Sequence, residues 1–222
     1  MSYPDLKTLL NAGQQVRPSH PKAPEIWRFS WQGEELLLKS YHHSPALYQN
    51  SVGRLAISRE WDALTRLADS QVAPAPKWRL SGCSMVMQWV EGTPLESLPT
   101  QHHRSAALLS SAEKLLKTLS DHRLAHADLG HDFWGRMGRP SNLLWTDDNR
   151  LVAIDFAGSL PLDRGPRPVK NLAWALQLHD ELLLTKILYH FTDPALKEHP
   201  AWQLPSKRSM AWWDLMRALG KL

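Results

Sequence analysis

The 222-residue chain has only one cysteine, Cys83, and no long apolar run. A single cysteine excludes an internal disulfide, and with it the small secreted domains that disulfides stabilise. No stretch reaches the roughly 18 apolar residues of a membrane span, and Met1 to Val16 carry no apolar run of the secretory type. We therefore expect a cytoplasmic protein in a reducing compartment, and peripheral contact with the inner membrane stays open.

Charge of one sign is not concentrated anywhere in the chain. The formal net charge is +4, and no block of five like charges occurs. This balance permits anionic partners without requiring them, and we expect no nucleic acid partner. The sequence also lacks a G-x-S-x-G motif, which argues against a serine hydrolase of that kind.

Acidic and amide residues follow one another at the ends of predicted strands in the second half of the chain. Residues 151–156 are an apolar strand that presents the carboxylate of Asp155, and Asn142 opens the strand before it. Residues 147–149, Asp-Asp-Asn, favour a tight turn between the two strands because Asp and Asn tolerate left-handed backbone. We therefore expect Asn142 and Asp155 to face each other across one hairpin.

This pair of oxygen ligands suits Mg²⁺, which takes few protein ligands and shares phosphate oxygens. Asp128 would lie beside Asn142 and Asp155 as the base or orienting group for a hydroxyl. Each residue also has a purely structural interpretation. Asp128 could cap a turn, Asn142 could form an Asx turn after Pro140, and Asp155 could be an ordinary strand-end carboxylate.

The first half of the chain reads as a hairpin followed by a helix. Residues 26–31 and 35–41 have strand patterns joined by a turn at 32–34, and Lys39 lies near the end of the second strand. Apolar residues at helical spacing predict a helix over 53–67, which carries Glu60. We also predict helices over 4–12, 101–122, 171–191 and 206–219, strands over 78–80 and 84–90 with Cys83 as inert strand core, and loops over 13–24, 42–52 and 192–206.

Three motifs of this sequence, taken in order, resemble the catalytic segment of the protein-kinase-like superfamily. His126-Ala127-Asp128 resembles the catalytic-loop His-Arg-Asp, Asn142 its metal-binding Asn, and Asp155-Phe156-Ala157 resembles Asp-Phe-Gly. The likeness covers about residues 25–160. It is greatest to small bacterial lipopolysaccharide (Kdo/heptose) kinases and to the RIO-like group.

The resemblance implies an α+β, two-lobed protein-kinase-like fold. Residues 1–91 would form a small antiparallel-sheet N-lobe, and residues 92–222 a mainly helical C-lobe. The implied cofactors are ATP and Mg²⁺. Lys39, held by Glu60, would grip the nucleotide phosphates, and backbone groups of Gln88, Trp89 and Val90 would read the adenine. Asp128 would be the catalytic acid–base residue, and Asn142 and Asp155 the metal ligands, with Asp132 as a substitute candidate.

The sequence departs from the family pattern in three ways. No G-x-G-x-x-G precedes Lys39, and Gly13 is the only glycine before the hairpin, so the phosphate-covering loop is absent or unconventional. The signature places its Asn five residues after the catalytic Asp, where this chain has Phe133, so residues 134–140 must loop out before Asn142. Ala157 replaces the Gly of Asp-Phe-Gly, and no Ala-Pro-Glu follows.

The short, proline-rich segment 158–170 lacks a platform for a protein substrate, which favours a small acceptor. We therefore expect an ATP-dependent kinase acting on a lipopolysaccharide-core sugar. The alternatives are a RIO-like protein serine/threonine kinase and a pseudokinase that binds nucleotide or a partner without turnover. A nucleic-acid-binding module is a weaker option, because no basic aromatic stripe is present. The sequence does not identify the acceptor or the oligomeric state.

Overall fold

The computed structural model describes residues 4–98, 105–129 and 142–191. The chain divides into two compact units, Met1–Val90 and Glu91–Leu222. The first is built on an antiparallel sheet and the second is mainly helical. This mixed α+β architecture confirms the predicted fold class. Four predictions lie outside the described residues: those for Asp132, for loops over 134–140 and 192–206, and for a helix over 206–219.

The first unit contains a five-stranded antiparallel sheet in the order β1-β2-β3-β5-β4. Its strands are β1 Gln14–Arg17, β2 Glu25–Trp31, β3 Glu34–Ser40, β4 Pro76–Ser81 and β5 Ser84–Gln88. Gln32 and Gly33 both have positive φ, of 53° and 83°. Such a two-residue turn matches the twist of the flanking strands, which explains the tight β2–β3 hairpin.

One face of this sheet forms the core of the first unit. Alternating residues of β3, Leu36 and Leu38, are buried there together with Phe29, Val86 and Leu9. Leu9 belongs to helix α1, Leu6–Ala12, whose N-terminus is capped by the Asp5 carboxylate accepting from the Thr8 N–H at 2.8 Å. Because side chains alternate along a strand, Lys39 lies on the opposite face. That face is where helix α3, Arg54–Arg66, meets Lys39.

Three local predictions for this unit were wrong. The predicted loop 13–24 contains strand β1, whose four residues are all exposed, so it has no apolar alternation to reveal it. The predicted loop 42–52 contains helix α2, Ala46–Tyr48, and a π-helix, Gln49–Gly53, that runs into α3. Cys83 is buried but lies in the turn between β4 and β5 rather than in a strand.

The second unit joins two helices to short strand pairs. Helix α4, Ser105–Asp121, and helix α5, Arg167–Phe191, pack against each other and against strand β7, Leu124–Ala125. Strands β8, Leu143–Trp145, and β9, Leu151–Ala153, form the predicted hairpin. Strand β6, Thr93–Pro94, pairs with β8, and β10, Leu160–Pro161, pairs with β7. None of the helices in the described residues is long and apolar enough to cross a membrane.

Candidate active site

Lys39 and Glu60 form a buried ion pair in the first unit. The Lys39 Nζ lies 2.6 Å from a carboxylate oxygen of Glu60, and the two residues are only 3% and 1% exposed. Lys39 sits in the middle strand of the sheet, opposite Ile26 on one side and Met85 on the other. The pairing predicted from sequence is confirmed. Because the pair is buried, removing either partner would take away the opposite charge held beside the other, which is costly away from water.

The segment predicted to read adenine is partly committed to other bonds. The Gln88 N–H donates to the Ala75 carbonyl at 2.8 Å, and the Trp89 N–H donates to the Glu35 carbonyl at 2.9 Å. These two N–H groups are therefore used within the sheet and its flank. Adenine recognition by this segment stays a prediction, and it would use the carbonyl groups and Val90. The Trp89 ring lies under the Arg28 guanidinium, 4.7 Å from its centroid.

In the second unit, Asp180 of α5 binds the backbone of the loop that runs from β7 to Asp128. The carboxyl oxygens of Asp180 accept from the His126 N–H at 2.7 Å and from the Ala127 N–H at 3.0 and 3.2 Å. Ala127 has a φ of 69°, a left-handed conformation that costs an L-residue roughly 1–2 kcal/mol. The two accepted hydrogen bonds offset that cost, so Asp180 fixes the backbone that presents Asp128.

Burial raises the pKa of Asp180 to about 7, against hydrogen bonds from Ala127 and His126 that lower it. The charges of Asp128 and Glu181 raise this pKa further. Asp180 is only 1% exposed, so loss of solvent around the charged form outweighs the two donors. Sequence reasoning missed this residue. The only available signal was that Asp180 and its neighbour Glu181 lie within an apolar helix stretch that contains Leu176, Leu182 and Leu183.

The His126 side chain connects this loop to the hairpin strand that leads to Asp155. Its Nε2–H donates to the Ile154 carbonyl at 3.1 Å, while its Nδ1 accepts from the Asp128 N–H at 3.3 Å. This pattern assigns the proton to Nε2. The ring also packs on Phe156, with ring centroids 4.4 Å apart. His126 therefore has a structural role, bonded to backbone beside Asp155.

Asn142 joins Asp128 to the same hairpin. Its Nδ2 donates to the Asp128 carbonyl at 2.7 Å, and its own carbonyl accepts from the Ile154 N–H at 2.9 Å. Asn142 therefore lies across the hairpin from Ile154, and Ile154 is the residue directly before Asp155. The predicted hairpin is confirmed, whereas the expectation that Asn142 and Asp155 face each other across it stays a prediction. The predicted strand 151–156 is too long, because β9 ends at Ala153 and Asp155 has a φ of 61°.

The donor set at this hairpin fits Mg²⁺ on chemical grounds. The amide nitrogen of Asn142 is used in its bond to Asp128, which leaves the amide oxygen as the atom suited to a cation. Asp155 adds a carboxylate. Within the described ranges no cluster of three or more His, Cys, Asp or Glu side chains could enclose a metal alone. Two oxygen ligands fit an ion that completes its shell with water and phosphate oxygens.

The family model of the RIO domain matches residues 38–167, more than half of the chain. The chain belongs to the RIO domain family. The match includes every predicted site residue from Lys39 to Asp155 and ends before Asp180. The family is one of kinase-like phosphotransferases, which agrees with the expected class of enzyme.

The fold of this RIO domain is similar to that of solved kinases. The crystal structure of the Rio2 kinase from Chaetomium thermophilum matches with a TM-score of 0.61 and 16% sequence identity. The match covers 91% of this chain and 67% of the Rio2 chain. At that identity the likeness concerns the fold. No curated protein matches the sequence. The predicted kinase-like fold is confirmed, and the likeness expected to lipopolysaccharide kinases finds no support in these comparisons.

Proposed function

We propose that this RIO domain transfers the γ-phosphate of ATP to a hydroxyl group. The observation that carries the proposal is the network around Asp128. Its carbonyl accepts from Asn142, its N–H donates to His126, and the preceding N–H groups are held by Asp180. This network supports the proposal because it holds the Asp128 backbone beside the Asn142 amide, and phosphoryl transfer would use these two residues as acid and metal ligand.

Each group has a distinct role in the proposed reaction. Lys39, held in place by Glu60, neutralises charge on the nucleotide phosphates. The acceptor hydroxyl oxygen attacks the γ-phosphorus, the bond to the β–γ bridging oxygen breaks, and ADP leaves. Asp128 orients the hydroxyl and takes its proton. Bound Mg²⁺ would add neutralisation of the phosphate charge, and Asn142 and Asp155 are the residues that would hold it.

For the acceptor we favour a serine or threonine hydroxyl of a protein, the alternative stated from the sequence. Membership of the RIO domain family supports this choice over a lipopolysaccharide-core sugar. The sugar remains the second acceptor to test, since the segment after Asp155 is short: a single 3-10 turn, Phe156–Gly158, and β10 precede α5.

The test measures phosphate transfer from labelled ATP with Mg²⁺ to a panel of Ser/Thr proteins and to lipopolysaccharide core. We expect transfer to protein, with Asp128→Asn lowering it by about 10²–10⁴-fold while ATP affinity is retained. Asp121→Asn, which removes an exposed acid paired with Lys117 on α4, is the matched control and should leave transfer unchanged. Transfer to the sugar alone would correct the acceptor. ATP binding without transfer to any acceptor would identify a pseudokinase.

A further inference from the structure

The connection between β1 and β2, residues 18–24, precedes the hairpin that carries Lys39, where the sequence lacks the expected glycine-rich phosphate loop. We call it the proline loop, Pro18-Ser19-His20-Pro21-Lys22-Ala23-Pro24. It contains no glycine, and none occurs between Gly13 and Gly33. Its chemistry must therefore differ from that of a glycine-rich loop, which presents backbone N–H groups to phosphates.

The proline loop has almost no backbone donor to offer a phosphate. Its three prolines have no N–H. The His20 N–H donates to the Ala23 carbonyl at 3.4 Å, and the Ala23 N–H donates back to the His20 carbonyl at 3.1 Å. The Lys22 N–H donates to the His20 Nδ1 at 3.3 Å. Of the seven residues, only Ser19 keeps an N–H outside these bonds.

The strand register places this loop beside Lys39. Arg17, the last residue of β1, pairs with Ile26, and Ile26 pairs with Lys39 across β2 and β3. The register of β1 shifts between Gln15 and Arg17, and after this shift Arg17 is again paired with Ile26. Paired residues point to the same face of a sheet, so Arg17 and Lys39 share a face, two strands or about 10 Å apart. Glu25, the next residue toward the loop, faces the other way. Its carboxylate is engaged by the His43 ring and the Trp27 indole N–H.

Two side-chain hydrogen bonds also hold the backbone of the proline loop in place. The Arg17 Nε donates to the Pro24 carbonyl at 3.2 Å, which closes the base of the loop. The Tyr48 hydroxyl donates to the Lys22 carbonyl at 2.8 Å and ties the loop to α2. A loop held in this way, with three residues of fixed φ, is pre-organised rather than a flexible flap.

We propose that Arg17 and Lys22 bind the polyphosphate of the nucleotide and replace the backbone amides of a glycine-rich loop with side-chain cations. The proposal rests on the proposed kinase function and names the groups that recognise the phosphates. Both residues are exposed, and the terminal guanidinium nitrogens of Arg17 remain beyond its Nε bond. His20, whose Nδ1 accepts from Lys22, offers its Nε2–H as a neutral donor at the same edge.

The experiment measures dissociation constants of adenosine, ADP and Mg·ATP by titration calorimetry for Arg17→Gln, Lys22→Gln and the double variant. Lys77→Gln is the matched control, because Lys77 is a cation on β4 paired with Glu34 at the other end of β3. We expect each loop variant to weaken Mg·ATP binding about tenfold, because each removes a charge-assisted hydrogen bond to phosphate. Adenosine affinity should be unchanged in all four variants.

Each other outcome overturns the proposal. Unchanged Mg·ATP affinity in the double variant would show that the loop does not contact phosphate, and the kinase assignment would stand. An equal loss of Mg·ATP affinity in Lys77→Gln would show that the effect comes from the net charge and not from contact with the phosphates. A parallel loss for adenosine would show that the loop only supports the fold. If the unaltered protein binds none of the three ligands, the kinase proposal fails together with this one.

Discussion

At the scale of single residues, buried ionisable groups hold the predicted site residues in each of the two units. Lys39 and Glu60 neutralise each other in the first unit, whereas Asp180 has only main-chain donors and no cationic partner among the contacts described for it. An unpaired buried acid resists ionisation, which is why its pKa rises to about 7. A group with a raised pKa makes the stability of the fold depend on pH.

We predict that Asp180 stabilises the fold most at acid pH. The folded protein keeps the Asp180 proton up to about pH 7, whereas the unfolded chain releases it near the ordinary value of 3.8. Between these values the folded state binds more protons, so this contribution is complete below pH 3.8 and is lost as pH rises toward 7. The loss is about 1.4 kcal/mol per pH unit at most.

The measurement is the free energy of unfolding, by urea denaturation from pH 5 to 8, for the unaltered protein and for Asp180→Asn. The difference between the two should shrink as pH rises, because asparagine does not titrate. Asp121→Asn is the control at an exposed acid and should show no such trend. A difference that is constant over this range, or that grows with pH, would contradict the assignment.

Two of these buried groups could be predicted from sequence and one could not. Lys39 lies on a strand and Glu60 on a helix, and both elements have a clear apolar periodicity. The resemblance to the family then predicts that the two residues pair. Asp180 acts on main-chain groups of residues 53 and 54 positions earlier in the chain. A carboxyl that binds backbone imposes no residue type on its partners, so no sequence pattern reveals the contact.

At the scale of elements, the π-helix Gln49–Gly53 leads directly into α3, the helix that carries Glu60. A π-helical turn inserts an extra residue and shifts the helical register, and such turns are common at functional sites. Gly53 ends this turn against the Tyr41 ring, seven residues before Glu60. A Cβ at Gly53 would lie 2.9 Å from the Tyr41 Cγ, too close without movement of one of them. The close approach of Tyr41 therefore requires glycine here.

We predict that Gly53→Ala destabilises the protein, although the same change in an open helix would stabilise it by about 1 kcal/mol. Overpacking against the ring costs roughly 1–3 kcal/mol, which outweighs the gain. Urea denaturation should show a net loss of about 1 kcal/mol. The same change in a Tyr41→Leu background is the control and should cost less. A stabilised Gly53→Ala variant would show that Tyr41 moves away freely.

The spacing of apolar residues predicted some helices and strands correctly and missed others. The buried face of α4, with Leu109, Leu115 and Leu119, matches the predicted helical spacing. Strand β1 is a polar edge strand, and β6, β7 and β10 have only two residues each, so none has a period to detect. Helix α5 begins four residues earlier than predicted because Pro168 lies in its first turn, where proline is tolerated.

At the scale of the whole molecule, the fold class was predictable because each unit has its own strong pattern. Alternating apolar residues identify the sheet of the first unit, and long amphipathic segments identify the helices of the second. The order of the three catalytic motifs then selected the kinase-like class, and the RIO domain match confirms it. The acceptor was not predictable, since it depends on surfaces that no motif describes.

The proposed function also predicts how the whole protein responds to its ligands. A ligand that binds only the folded state raises the melting temperature, by roughly 5–10 °C at a hundredfold excess over its dissociation constant for a chain of this size. Mg·ATP should stabilise the protein more than ATP with a chelator, since Asn142 and Asp155 contribute only through the cation. Asp155→Asn should remove this difference while leaving the shift produced by ATP alone.

Asp147→Asn, in the turn of the same hairpin, is the matched control and should keep the response to magnesium. Removing a carboxylate from the turn changes the net charge as Asp155→Asn does, so a charge effect alone would appear in both variants. If Asp155→Asn keeps the full difference between Mg·ATP and ATP, the carboxylate does not hold the metal. If both variants lose it, the hairpin contributes through its overall charge and the ligand assignment is wrong.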